Sequence, residues 1–292
     1  MNKTKFLSLS VALVLVLSSC SSESETQSQA WPENIVYAGM PLDGTTEVVD
    51  SFELMAEVIS EELGISVELQ EATSAPSVIE ALASGRAQFG NIHGFGYVVA
   101  KSKYPELTLV ATTQRSPDQE PGIYSFGIVP ADNEDIQSLT DLKGKSVCYS
   151  NPTALTTYIA PIHAMALLGL DGNPETSSEV SGLFVGDGIS SAYGVANGDC
   201  DAGFMADSVF NVTLPATGDL KKEDFRVFWQ SEKLPSSALV FGPGLPVSLQ
   251  EAIRKVILEK LNKTWLVESG NCSDAETCRF LNRGNWGWTQ VD

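Results

Sequence analysis

The hydroxyl groups of Ser150, Thr153, Thr156 and Thr157 crowd one short stretch, Ser150-Asn151-Pro152-Thr153-Ala154-Leu155-Thr156-Thr157-Tyr158. Helical spacing begins within it and continues past Pro161. Short hydroxyls and the unpaired N–H groups at a helix start both donate hydrogen bonds, so the stretch suits an anion. The alternative is ordinary capping by one threonine, with its neighbours in water. His93 lies in Asn91-Ile92-His93-Gly94-Phe95-Gly96-Tyr97, between a strand pattern and a helix pattern. An imidazole there can donate to an oxyanion or stack on an organic group, or it can sit in a plain surface turn. Asp207 follows the run Ala202–Met205 at its carboxyl end. It can accept a proton from a ligand hydroxyl, receive an amine, or cap the turn at Ser208. Arg115 closes a strand and can meet an anion or make a salt bridge of modest strength. Tyr124 opens the strand expected to cross between domains.

Other chemistry is disfavoured. His163 falls on the predicted inward face of a helix, far in sequence from His93. GxSxG, HExxH and P-loop spacings do not occur, and no third group completes a triad. Asp132, Glu134 and Asp135 lack the glycine and terminal glutamate of an EF-hand loop. No catalysis, metal or cofactor is expected. Cys272 and Cys278 enclose Ser-Asp-Ala-Glu-Thr, which reads as a local disulfide in an oxidising compartment. Zinc is disfavoured because the chain has 2 histidines and neither is near this pair. Cys148 and Cys200 either pair or are two small buried residues, since spacing does not give connectivity.

These residues need elements to position them. Asn34–Gly39 reads as a strand. A helix follows with Phe52, Met55, Val58, Ile59 and Leu63 on one face, and Gly64 ends it. Ile65, Val67 and Leu69 alternate as a strand. Ser74 and Pro76 start a helix carrying Val78, Ile79 and Leu82. Gln88–Ile92 is a strand, Gly94–Lys103 a helix and Leu107–Thr113 a strand. This β-α-β-α-β-α rhythm predicts a parallel sheet covered on both faces. The rhythm restarts with strands at Tyr124–Val129, Lys145–Tyr149, Val180–Val185, Asp201–Met205 and Phe225–Trp229. Between them come a turn at Leu139–Leu142 and helices over Thr156–Leu168 (Ile159, Ile162, His163, Ala166 and Leu167 inward) and Ser190–Asn197. A last helix runs over Leu249–Leu266, with Ile253, Val256, Ile257 and Leu261 inward. Ligands of open α/β sheets bind at the carboxyl ends of strands.

The N-terminus reads Met1-Asn2-Lys3-Thr4-Lys5, then the apolar run Phe6–Leu17, then Leu17-Ser18-Ser19-Cys20. Lysines, a run of roughly a dozen mostly apolar residues and small residues at the cut form a secretory signal. The run falls short of the about 20 residues a membrane helix needs. The Leu-Ser-Ser-Cys ending resembles the bacterial lipobox, which implies cleavage after residue 19 and lipidation of Cys20. Residues 20–30 have the composition of a tether. The expected location is a membrane surface, lipid-anchored, facing the periplasm or the cell exterior. Formal charge is -19 with no basic cluster, which argues against nucleic acid as a partner.

Three turns carry a family resemblance. Thr140-Asp141-Leu142-Lys143-Gly144-Lys145 resembles the DLKGK turn of type II solute-binding proteins of ABC importers. Val78–Phe89, reading Val-Ile-Glu-Ala-Leu-Ala-Ser-Gly-Arg-Ala-Gln-Phe, is similar to a helix and strand of their first domain. Tyr193-Gly194-Val195-Ala196-Asn197-Gly198-Asp199-Cys200-Asp201-Ala202-Gly203 is similar to a turn of their second. The order and spacing resemble the phosphonate, phosphite and phosphate binders over Ile35 to Ile257. The resemblance implies a two-lobed type II periplasmic-binding-protein fold, α/β, each lobe a mostly parallel sheet flanked by helices, with a cleft between. Lobe 1 is expected at residues 31–124 plus 237–292 and lobe 2 at 125–236. It further implies capture of a small anionic solute by lobe closure and delivery to a membrane permease.

In that family a Ser-Thr-Ser-Gly-like loop at the start of a second-domain helix holds the phosphorus oxyanion, and Ser150–Tyr158 is its counterpart. Three family positions differ. A first-lobe tyrosine is Ala75 here, an apolar glycine-bearing loop is Asn91–Tyr97, and an acidic and histidine-bearing loop is Gly186-Asp187-Gly188-Ile189-Ser190-Ser191. The expected ligand set is Asn91, His93, Tyr124, Ser150, Thr153, Thr156, Thr157, Ser190, Ser191 and Asp207, in a monomer without cofactor. Two other classes stay open: an enzyme on the same fold, as in the thiamine-pyrimidine family that it distantly resembles, and a sensor that passes closure to a signalling partner.

Overall fold

The computed structural model describes residues 30–39, 46–72, 74–278, 280–281 and 284–290. The predicted signal, Cys20 and nearly all of the tether lie outside them. From Trp31 on, the chain forms one unit. Its first elements are β1 (Asn34–Gly39), α1 (Thr46–Leu63), β2 (Ser66–Glu71), α2 (Ala75–Ala83), β3 (Phe89–Ile92), α3 (Gly94–Lys103) and β4 (Thr108–Gln114). A second series follows with β5 (Ser125–Pro130), β6 (Ser146–Tyr149), α4 (Ala160–Leu167), β7 (Ser181–Phe184), α5 (Gly188–Ala196), β8 (Ala202–Ala206), the short α6 (Leu214–Ala216) and β9 (Phe225–Gln230). The chain then returns through β10 (Ala238–Phe241), α7 (Val247–Lys260), α8 (Lys263–Glu268) and β11 (Gly287–Thr289).

Two sheets result, in the orders β11-β4-β10-β3-β1-β2 and β7-β6-β8-β5-β9. β1 is parallel to β2 and β3, while β10 is antiparallel to β3 and β4, and β11 to β4. So β1 to β4 point one way and β10 and β11 return. In the second sheet β6 is parallel to β7 and β8, and β5 runs against β8 and β9. The reversed strands have one cause. The chain leaves the first sheet at the carboxyl end of β4 and comes back at the amino end of β10, on the same edge. A strand entered from that edge must run opposite to those that end on it. The two crossovers are paired where they pass, with the Ile123 N–H on the Leu234 carbonyl (3.0 Å) and the Leu234 N–H on the Ile123 carbonyl (2.8 Å). Lys233 and Glu120 add an ion pair between them.

Each sheet is covered on both faces. Tyr37, Phe89, Val110 and Phe241 pack under Met55, Ile59, Ile253 and Ile257 of α1 and α7. Val78 and Leu82 of α2 cover Ile92 and Val240 on the opposite face. In the second sheet Val147, Tyr149 and Phe204 meet Met165 of α4, and Ile128, Cys148 and Met205 meet Ala192 and Val195 of α5. Each such aliphatic or aromatic side chain stabilises by roughly 1.5–3 kcal/mol when fully buried. Cys148 and Cys200 are joined as a disulfide, Cα–Cα 5.8 Å, from β6 to the turn before β8. Cys272 and Cys278 are joined as well, Cα–Cα 5.3 Å.

The predicted helix over Leu249–Leu266 is two helices. It breaks after Leu261, where the Asn262 side chain accepts from the Trp265 N–H (3.0 Å) and caps α8. The face predicted for the helix after Thr156 is also corrected. Pro161 and Met165 are its buried residues, whereas His163, Ala166 and Leu167 are exposed. The reason is a π-helical turn at Leu155–Ile159. One extra residue in that turn rotates everything after it by about 100°.

The starts of β6 and β8 are held by a side chain. Asp201 accepts from the N–H and the hydroxyl of Ser146, at 2.7 and 2.8 Å. The Ser146 N–H bond, with help from the hydroxyl, holds the Asp201 carboxyl below its usual range. A carboxyl whose pKa falls on folding stabilises above its unfolded pKa of about 4. That contribution is lost as pH drops through the lower folded value. Asp201→Asn should therefore reduce stability at pH 7 and flatten the decline below about pH 4. Urea melts at pH 7 and pH 3 check this, and an unchanged pH slope would count against it.

Candidate ligand site

The carboxyl ends of β1 to β4 and of β6 to β8 gather on the edges where the crossovers pass, and polar residues concentrate there. Asn91, Gln114, Ser125, Ser150, Thr157, Asp207 and Ser236 are all buried. Polar burial of this kind requires hydrogen-bond partners, and those of Gln114, Ser125, Ser150, Thr157 and Asp207 mark a polar seam there.

Its centre is the loop after β6. The Ser150 and Thr157 hydroxyls are hydrogen-bonded to each other. Asn151 forms a turn in which its Oδ1 accepts from the Thr153 N–H (3.1 Å) and hydroxyl (2.9 Å). The Ala154 carbonyl accepts from Tyr158 (3.1 Å) and Ile159 (3.0 Å). The N–H groups of Leu155, Thr156 and Thr157 thus lie ahead of the helical ladder, as the first groups of any helix do. Tyr158 fixes the far side of this turn, edge-on to Phe184 (5.2 Å) and Tyr149 (5.5 Å). Burial pushes the Tyr149 phenol well above its usual range, and its hydroxyl donates to the Gly172 carbonyl (3.0 Å).

The π turn has a local cause. The Ala160 N–H bonds to the Leu155 carbonyl in the i→i+5 pattern. The next carbonyl, that of Thr156, would need the N–H of residue 161, which proline lacks. Ser125 supplies the missing donor, with its buried hydroxyl on the Thr156 carbonyl. Ser125 is the first residue of β5, and its N–H is held by the Ser231 hydroxyl (2.9 Å) at the other crossover. The loop is thereby attached to the segment that joins the lobes.

Beside Ser125, Tyr124 donates its N–H to Asp207 (3.0 Å), and Asp207 donates its own to the Tyr124 carbonyl (2.9 Å). Arg115 makes a two-pronged ion pair with the Asp207 carboxylate. On the first-lobe side, Asn91 is buried in β3 opposite Leu239, and His93 is exposed at the head of α3. Gly94 follows because the returning crossover passes so close. A Cβ there would lie 2.5 Å from the Ser236 carbonyl oxygen and 2.7 Å from Pro235.

The structure therefore brings Ser150, Thr156 and Thr157 together with Tyr124 and Asp207. Thr153 stands in the same loop, exposed, with its hydroxyl on Asn151. The α5 serines differ. The Ser190 N–H is capped by Asp187 Oδ1 (2.6 Å). Ser191 is fully buried and donates to the Cys148 carbonyl (3.2 Å). It faces the sheet and not the seam, which corrects its place in the expected set. Ser125 was not in that set; the missing N–H of Pro161 is the sequence signal that points to a donor of its kind.

Two α/β lobes on a doubled crossover, with strand ends facing a polar seam, make the two-lobed architecture of type II solute-binding proteins. Residues 38–270 match the family described as ABC transporter, phosphonate, periplasmic substrate-binding protein, and the chain belongs to that family. A curated relative is the phosphate-import protein PhnD of Mycolicibacterium smegmatis, 26% identical over 267 residues, 90% of this chain and 83% of the relative. Among solved structures, PhnD1 of Prochlorococcus marinus in complex with methylphosphonate aligns with a TM-score of 0.68 at 16% identity, covering 89% of this chain and 93% of that one. XAC2383 of Xanthomonas citri, bound to ATP, aligns with a TM-score of 0.68 at 17% identity over 89% and 92%. At such identities these likenesses carry the fold.

Proposed function

We propose that the protein captures phosphate or a short phosphonate in the seam between its lobes and passes it to an ABC permease. It does so as a monomer held at the membrane by lipid on Cys20. The observation that carries the ligand class is the buried Ser150–Thr157 hydroxyl pair beside the leading N–H groups of Leu155, Thr156 and Thr157. Such a site offers donors already oriented before the ligand arrives, which suits a compact oxyanion. The relatives' phosphate import and methylphosphonate complex support the same class. Asn91 and His93 approach from the first lobe and close the site, with lobes taken as 31–124 plus 237–292 and 125–236. Membership of a transport family favours this reading over an enzyme or a sensor on the same fold.

Thermal shift with phosphate, methylphosphonate and sulfate tests it. A ligand at 100 times its Kd should stabilise by about 2.7 kcal/mol. Thr156→Ala and Thr157→Ala should each weaken a phosphorus oxyanion by about 10-fold, the scale of one hydrogen bond to a charged group. Silence from both phosphorus oxyanions would remove the reading, and unchanged affinity in both variants would remove this loop from the site.

A further inference from the structure

Asp207 directly follows β8 at the seam and is 4 % exposed. A buried carboxylate in a binding cleft is the natural receiver for an ammonium group on a ligand. Here that place is taken. Arg115 Nη2 donates to Oδ1 at 2.6 Å, Nη1 donates to Oδ2, and the Tyr124 N–H adds a bond to Oδ1 at 3.0 Å. Of the about four lone-pair directions of a carboxylate, three are filled. Arg115 follows β4 of one lobe and Asp207 follows β8 of the other, so the guanidinium is built in across the crossover. Asp187, on the α5 side, is exposed to water and holds the Ser190 N–H with its Oδ1.

A ligand bringing its own cation would have to displace a bidentate guanidinium and leave Arg115 without its counter-charge. An oxyanion without a cation would leave the pair intact. Selectivity of this kind comes from an element set against the wrong ligand. We propose that Arg115 is a specificity-determining residue: by occupying Asp207 it makes the receptor select oxyanions that lack an ammonium group. The inference rests on the oxyanion reading above and adds the ligand's charge pattern to it.

Calorimetric titration of the full-length protein with ethylphosphonate and 2-aminoethylphosphonate, which differ by the ammonium, tests this. The wild type should bind ethylphosphonate at least about 10-fold more tightly. Arg115→Gln keeps an amide donor for Asp207 but removes the charge, and should shrink that preference by about 10-fold. Asp207→Asn removes the receiver and should keep the preference. Equal wild-type affinities, an unchanged ratio in Arg115→Gln, or a reversed preference in Asp207→Asn would overturn this inference alone. A wild type that binds neither phosphonate overturns the oxyanion reading and this inference with it. If Arg115→Gln does not fold, the wild-type and Asp207→Asn ratios decide.

Discussion

Replacing Cys148 and Cys200 together by alanine should lower the unfolding free energy by about 4 kcal/mol at 25 °C. The two cysteines are 52 positions apart in sequence. Their bond closes a long loop in the unfolded chain, and the entropy it removes there grows with loop length. The native contribution adds to this. Both residues are buried, and Gly194 of α5 approaches Cys148 Sγ so closely that a Cβ at 194 would lie 2.7 Å from it. Alanine pairs would open a small void under that helix. The same reasoning applied to Cys272 and Cys278, only 6 positions apart, gives about 2 kcal/mol. Urea unfolding of the two double variants measures the difference. A loss below about 1 kcal/mol for the longer loop would contradict the chain-entropy argument. Because Cys148 is followed by Tyr149 and Ser150, the long-loop variant should also loosen ligand binding, while the Cys272–Cys278 variant should not.

Much of the fold was legible because it is written in local patterns. The apolar run Ile35, Val36, Tyr37 before Gly39, the Ser74–Pro76 start and the Gly64 stop each act within a few residues. The observed β1, the end of α1 at Leu63 and the Ser74-capped α2 follow from them. What was not legible depends on distant partners. β10 is a short apolar run, Ala-Leu-Val-Phe, that could be any buried segment until β3 and β4 accept it between them. β11 exists only as an addition to the edge of β4. The disulfide between Cys148 and Cys200 needed β6 and β8 to be neighbours. In the site, hydroxyl-rich composition pointed to the loop after β6 because the residue types themselves carry the chemistry. The roles of Arg115, Asp207 and Ser191 were decided by which face or lobe they meet, and that is set by the crossover and by the phase of α5.

Ser125→Ala should lower stability by about 2 kcal/mol and weaken oxyanion binding at the same time, although its hydroxyl is turned to a carbonyl and not to the seam. The stability term comes from the Thr156 carbonyl. With Pro161 five residues on, no helical N–H reaches that carbonyl, and the Ser125 hydroxyl is its donor. Alanine leaves a part-buried acceptor unmet, at a cost within the about 1–3 kcal/mol of an unpaired polar group. The binding term comes from position. Ser125 joins the crossover to the turn that presents Thr156 and Thr157, and its own N–H is tied to Ser231 of the second crossover. Without that tie the loop should sample orientations in which its donors no longer converge, and affinity should drop by about 10-fold. Pro161→Ala supplies the complementary case. It restores an N–H at position 161, so Ser125→Ala should cost less in that background than alone. A double-mutant cycle measured by urea unfolding reads this coupling directly. Strict additivity would mean that Ser125 and Pro161 act independently, and the account of the π turn would fall. Coupling in stability without a change in affinity would leave the π turn explained but detach it from ligand capture.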